Sequence, residues 1–266
     1  MIKYSKITFK SRLVLPYKFL GSTIRGVLGQ GLKKTVCINP SGECEGCFAK
    51  EGCLFYDFYE KANPKYRLNI EPGGSLNFDY YLFEEYASNV PYVIRAVYSA
   101  FKEIGITKKR IKTDFLLFVN DSLVYDGKFR EFENKALEFK PKEYKPNPYI
   151  LFKTPLRIKQ NGQFVKDDVS FETILRSVWH RKAKLKNEPI QKLPFTPEYK
   201  VKSSNFSFTE VRRYSNRQKT AMNIGGIIGG MELEGVDEKS FYLLSLGELI
   251  GVGKQVSFGL GRYEIF

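Results

Sequence analysis

Between residues 140 and 148 the chain reads Lys140-Pro141-Lys142-Glu143-Tyr144-Lys145-Pro146-Asn147-Pro148. Proline lacks a backbone donor and bars helix from the residue before it, so this Pro- and Lys-rich stretch is a linker by composition. The two flanks share one pattern. Upstream, Ile2 to Phe9 alternates like a strand. A helical face follows with Leu20, Ile24, Val27, Leu28 and Val36. Tyr66 to Ile70 and Leu76 to Phe83 read as strands paired around Pro72-Gly73-Gly74. Pro91 opens a second helix striped by Val93, Ala96, Val97, Ala100, Phe101 and Ile104, and Gly105 closes it. Phe115 to Val119 is a strand, with a turn at Asn120-Asp121.

Downstream the order repeats. Tyr149 to Lys159 reads as a strand, with Asn161-Gly162 as a hairpin turn. Ser170 to Lys186 reads as a helix that turns Phe171, Ile174, Leu175, Val178 and Trp179 inward. Phe206 to Tyr214 and Ile224 to Leu233 are predicted strands, Glu238 to Ile250 a helix and Val256 to Phe266 a last strand. Each half approximates β-α-β-β-α-β. The predicted class is α+β, with two tandem ferredoxin-like (RRM-like) domains at 1–140 and 141–266 and a small cysteine-rich metal-binding insertion in the first.

Lys and Arg number 43 against 29 Asp and Glu, a net charge of +14. Such an excess suits a polyanion, because each cation near a phosphate releases a counterion; it also suits plain solubility. No stretch reaches the roughly 18–20 apolar residues of a membrane span. The opening MIKYSKITFK has no apolar core of a signal peptide. The expected location is the cytoplasm, with no membrane partner.

All four cysteines lie in Cys37-x6-Cys44-x2-Cys47-x5-Cys53. In a reducing compartment this clustering favours metal over disulfides. Four thiolates suit a closed structural Zn2+ site, with an iron–sulfur cluster as the second reading; disulfides, or no metal, complete the alternatives. A closed four-ligand site has no open position for water, so this would not be a catalytic metal.

Near the C-terminus stands Gly251-Val252-Gly253-Lys254-Gln255-Val256-Ser257-Phe258-Gly259-Leu260-Gly261. Its glycines let backbone approach another chain closely, and Lys254 adds a charge, so the loop can cradle phosphates. It is neither a Walker A nor a dinucleotide fingerprint. The alternative is a tight turn before an edge strand.

Leu243 to Ile265, LLSLGELIGVGKQVSFGLGRYEI, resembles the C-terminal signature of the CRISPR repeat-processing endoribonucleases of the RAMP superfamily. Arg212 to Leu233, RRYSNRQKTAMNIGGIIGGMEL, is similar to the R-Y-S-x-R-Q segment of that family, and Phe152 to Val165 and Thr23 to Cys37 fit it as well. The likeness is weakest over about 105–148. It implies a metal-independent ribonuclease that binds CRISPR repeat RNA and cuts precursor transcripts by 2′-OH attack, leaving a 2′,3′-cyclic phosphate and a 5′-OH. It requires no DNA. Other CRISPR effector subunits are further candidate partners, and a non-catalytic RNA-binding subunit is the alternative function.

The RNA-contact candidates are Arg25, Lys33, Lys34, Arg176, Arg213, Arg217, Gln218, Gly253, Lys254, Gly259 and Gly261, and the catalytic candidates are His180 and Lys254. His180 is the single histidine. It shares a helix face with Arg176 and Lys184, and a histidine among cations is held neutral near pH 7, able to act as a base. The other reading is a boundary histidine with no role. In the resembling family a histidine often precedes V-G-K, or follows R-G-x-x-G in the first helix. Here those positions hold Gly251 and Gln30.

Overall fold

Alternation in Lys3–Lys10 (β1) buries Ile7 and Phe9 and leaves Lys6, Thr8 and Lys10 on the other side. Phe9 gathers an aromatic centre, with ring centroids 4.8 Å from Phe78, 4.4 Å from Phe101 and 4.9 Å from Phe115. Around it run α1 (Gly21–Val36), β2 (Tyr66–Ile70), β3 (Phe78–Phe83), α2 (Val90–Tyr98), β4 (Leu116–Val119) and β5 (Ser122–Tyr125). The antiparallel order is β2-β3-β1-β4-β5. Pro91 lies in the first turn of α2, which continues with wider, π-type turns over Ser99–Ile104. In this computed structural model, which describes residues 1–215 and 220–266, these elements form one compact unit, Lys3–Leu137.

The second unit holds Glu138–Phe266 together with Met1–Ile2. Its elements are β6 (Tyr149–Leu156), α3 (Phe171–Leu185), β7 (Lys200–Thr209), β8 (Gly226–Glu234), α4 (Glu238–Ile250) and β9 (Tyr263–Ile265). The antiparallel order is β7-β8-β6-β9. Both units therefore carry the ferredoxin-like β-α-β-β-α-β path, and the α+β class holds.

Three elements differ from the sequence reading. β7 starts at Lys200 and stops at Thr209, and Arg212–Ser215 pairs with Thr220–Asn223 as a separate hairpin. The ladder breaks because Asn223 Oδ1 accepts the Gly225 N–H at 2.8 Å, a side-chain turn competing with strand pairing. The last strand shrinks to Tyr263–Ile265, since residues 256–258 form a single 3-10 turn. Trp179 is only half-buried, with the Lys182 ammonium 4.6 Å from its ring.

The sheet face of the second unit that is turned away from its buried side carries a set of ion pairs. Lys153 lies 3.6 Å from Glu264, Arg262 3.1 Å from Glu264, and Lys202 2.9 Å from Glu232 and 3.9 Å from Glu234. Among the described residues no helix is long and apolar enough to cross a membrane.

Candidate nucleic-acid interface

Helix α3 is the platform. The Ser170 hydroxyl caps it, accepting the Thr173 N–H at 3.2 Å. Phe171, Ile174, Leu175 and Val178 are fully buried, which leaves Arg176, Ser177, His180, Arg181 and Lys184 toward the outer side. Two of these hold the glycine-rich run. Ser177 Oγ accepts the Gly253 N–H at 2.9 Å, and Arg181 Nε donates to the Ile250 carbonyl at 2.5 Å. From the far side the Lys254 N–H donates to the Arg157 carbonyl at 2.7 Å. The run is thus anchored on both flanks, and the Lys254 side chain projects to solvent.

A cluster of cations results. Burial lowers the pKa of Lys184, and Lys254 and Arg181 lower it further. Burial also lowers His180 below the usual 6.5, with Lys184 and Arg176 adding to the effect and a hydrogen bond to the Gln191 backbone opposing it. A neutral imidazole beside protonated amines is the combination a general base for a phosphoester needs.

The run itself is mostly interior. Gly259 and Gly261 are buried, and Gly261 (φ 68°) packs so that a Cβ there would lie 1.9 Å from the Val252 carbonyl oxygen. Gly261 is held by close packing, and both glycines, expected to touch RNA, lie away from solvent. The run is open to solvent at Gly253, Lys254 and Gln255. Gly253 needs its missing Cβ for a related reason, since the Arg157 oxygen would sit 2.6 Å from one.

Arg213 stacks its guanidinium 4.5 Å from the Phe258 ring and donates to the Met222 sulfur at 3.3 Å, so it braces the loop. Arg217 and Gln218 lie outside the described residues. Arg157 and Ser177 were missed by sequence reasoning. The i, i+4 spacing of Ser177 and Arg181 was the available signal, but nothing in it names the loop they hold. Arg157 also stacks 3.8 Å from Phe164 and donates to the Gly225 carbonyl at 3.0 Å.

The remaining cations belong to the first unit. Arg25 donates to the Tyr66 hydroxyl at 2.9 Å and sits 4.7 Å from the Tyr59 ring, which makes it part of an interior network. Lys33 lies 5.2 Å from the Phe55 ring. Lys34 pairs with Glu103 at 2.7 Å; that bond, with Ser99 and Arg95, lowers the carboxyl to about 2. Gln30 accepts from Arg110 at 2.9 Å.

The four cysteines are free, half-exposed thiols in turns between α1 and the helical segment at Tyr56. Burial raises the Cys44 thiol, and Cys53 and Cys37 are near enough to add to the rise. Cys37 directs its sulfur toward the Asn39 carbonyl at 3.8 Å. Among the described residues no three His, Cys, Asp or Glu side chains are grouped to hold a metal ion, so the structure does not display the expected closed site.

The platform, the run and the hairpin all fall within residues 150–263, which match the family model of the CRISPR-associated endoribonuclease Cas6. Over these residues the C-terminal unit is similar to the Cas6 family. Residues 3–68 match a second family model, that of an N-terminal domain. An uncharacterised protein of Archaeoglobus fulgidus is 25% identical over 285 residues, covering 96% of each chain. A Cas6 product complex superposes with a TM-score of 0.57 at 13% identity, covering 100% of both chains. Thermus thermophilus Cas6 superposes at 0.52 with 13% identity, covering 100% of this chain and 98% of that one. The product of a Cas6-related gene from Pyrococcus furiosus does so at 0.51 with 12% identity, covering 100% and 99%. At these identities the Cas6 structures speak for the fold, and residue roles rest on the geometry above.

Proposed function

We propose that this chain binds CRISPR repeat RNA and cleaves it within each repeat by internal transesterification, without a catalytic metal. The observation that carries the reading is His180, lowered in pKa and grouped with Lys184 and Lys254 beside the anchored glycine-rich run of a Cas6-like domain. In the proposed step His180 takes the proton of a ribose 2′-OH. The oxygen attacks its own 3′-phosphorus, the bond from phosphorus to the 5′-oxygen breaks, and that oxygen is protonated. Lys254 stabilises the charge that develops on the phosphoryl oxygens, aided by Lys184. The products are a 2′,3′-cyclic phosphate and a 5′-OH. No DNA takes part.

Incubation of the pure protein with repeat RNA in EDTA tests this. One cut with a cyclic phosphate end supports it; intact RNA across several repeat sequences overturns it. A second reading is an RNA-binding subunit that works with other effector subunits and does not cut. Gly251 and Gln30, at positions where a family histidine is expected, favour it. We also propose that Cys37, Cys44, Cys47 and Cys53 take a structural Zn2+, with an iron–sulfur cluster second; the support is donor chemistry, four free thiols in one loop.

A further inference from the structure

Against the catalytic candidate lies a groove whose other lining has no part in the mechanism above. The chain leaves α3 at Lys186 and runs back along it without regular structure until β7 begins at Lys200. Between this return segment and α3 opens a groove of about 470 Å³. One wall is Arg176 and His180; the other includes Ile190, Lys192 and Phe195. The volume lies within the range of small-molecule sites.

The lining has two parts. Ile190 is 53% exposed, so its side chain offers apolar surface to a ligand in the groove. Phe195 is half-buried, so part of its ring is available to a planar group. Around them stand Arg176 and Lys192, with a single carboxylate, Glu172, already 3.6 Å from Arg176. A flat apolar surface rimmed by cations fits a base attached to a phosphate. An acidic protein would find little use for the ring, and a lipid would find no continuous apolar floor. The His180 hydrogen bond to the Gln191 backbone ties the strap to the helix and leaves the second ring nitrogen for a ligand.

We infer that the groove between α3 and residues 188–197 is a subsite for one unstacked nucleotide of single-stranded RNA, its base against Phe195 and Ile190 and its phosphate near Lys192 and Arg176. The inference rests on the RNA-binding reading and does not depend on cleavage. It places one nucleotide beside His180, and so it assigns the strap a part in positioning the strand.

The test uses the full chain and a 24-nucleotide single-stranded RNA of mixed sequence carrying 4-thiouridine. Cross-linked peptides are mapped by mass spectrometry, and affinity is measured for Phe195→Ala, Phe195→Leu and Lys192→Glu. Phe195→Leu keeps apolar packing and removes the ring, which separates stacking from folding. Lys239→Glu, on exposed α4, is the charge-matched control. The inference expects cross-links within 188–197. It also expects about tenfold weaker binding for both Phe195 variants, one stacked base being worth that much. Lys192→Glu should weaken binding at least as much, with Lys239→Glu within about threefold of wild type. RNA that binds while cross-linking elsewhere, with all three variants near wild type, overturns the subsite and leaves the RNA-binding reading standing. Wild-type protein that binds no RNA overturns both.

Discussion

Substituting Gly261→Ala tests whether the glycine-rich run is a packed structural element. Its φ of 68° costs an alanine about 1–2 kcal/mol. The added Cβ meets the Val252 oxygen at 1.9 Å, and an overpacked site of this kind costs about 1–3 kcal/mol more. Relief requires the backbone to shift. That strains the bonds from Gly261 N–H to the Pro155 carbonyl (3.0 Å) and from Val252 N–H to the Gly261 carbonyl (3.2 Å), of which one lost is worth about 1 kcal/mol. The expected loss is about 3–6 kcal/mol. For a unit of this size that lowers the melting temperature by roughly 10–20 °C. Gly235→Ala is the internal reference: its φ is 63°, but nothing lies within 4 Å of a Cβ, so only the backbone strain remains. Calorimetry, with hydrogen exchange of amides 252–263, distinguishes the two. If Gly261→Ala melts within about 3 °C of Gly235→Ala, the close packing claimed for the run is wrong.

His180→Ala should remove cleavage and leave RNA affinity within about threefold; wild-type rates would exclude His180 from the chemistry. The lowered pKa of His180 also sets a sign for stability. The folded chain binds that proton less tightly than the unfolded chain, so its share of stability is complete above about pH 6.5 and is lost as pH falls toward the folded value. His180→Gln should flatten that slope, and the cleavage rate of wild type should rise with pH to a midpoint below 6.5. Lys254→Ala should weaken RNA binding across sequences alike and reduce the salt slope by about one; an unchanged slope would mean that Lys254 meets no phosphate. Metal analysis of purified protein should find about one zinc per chain. A value near zero with four titratable thiols would end the metal proposal.

The ferredoxin-like path was readable because its signals are local. Alternation buried Ile7 and Phe9, Pro91 began α2, and Ser170 capped α3. What was not legible was set by distant partners. Gly259 and Gly261 look like a flexible phosphate loop in sequence, yet Gly261 is bonded to Val252 and Pro155, and Gly259 to Val256. Arg25 looks like a surface cation, yet Tyr59 and Tyr66 enclose it. Trp179 fits the inward stripe of α3 by period, and Lys182 draws it to the boundary. The His180 cluster was half legible: Arg176 and Lys184 follow from helical spacing, but Lys254 joins only because Ser177 and Arg181 grip a loop far along the chain.

The ion-paired sheet face bears on how a strand of RNA arrives. Lys153, Lys202 and Arg262 are paired there with Glu232, Glu234 and Glu264, which weakens the field that face projects. Lys184, by contrast, stands near Lys254 and Arg181, which lower its pKa. The second unit is therefore polarised, with paired charges on one side and a cation cluster on another. A polyanion approaching it feels a torque as well as an attraction, and turns toward α3 before any contact forms. Association should thus be orientation-selective at low salt. Reversing Glu232 and Glu234 to lysine would spread the field over both sides and raise the share of encounters that dock in the wrong place.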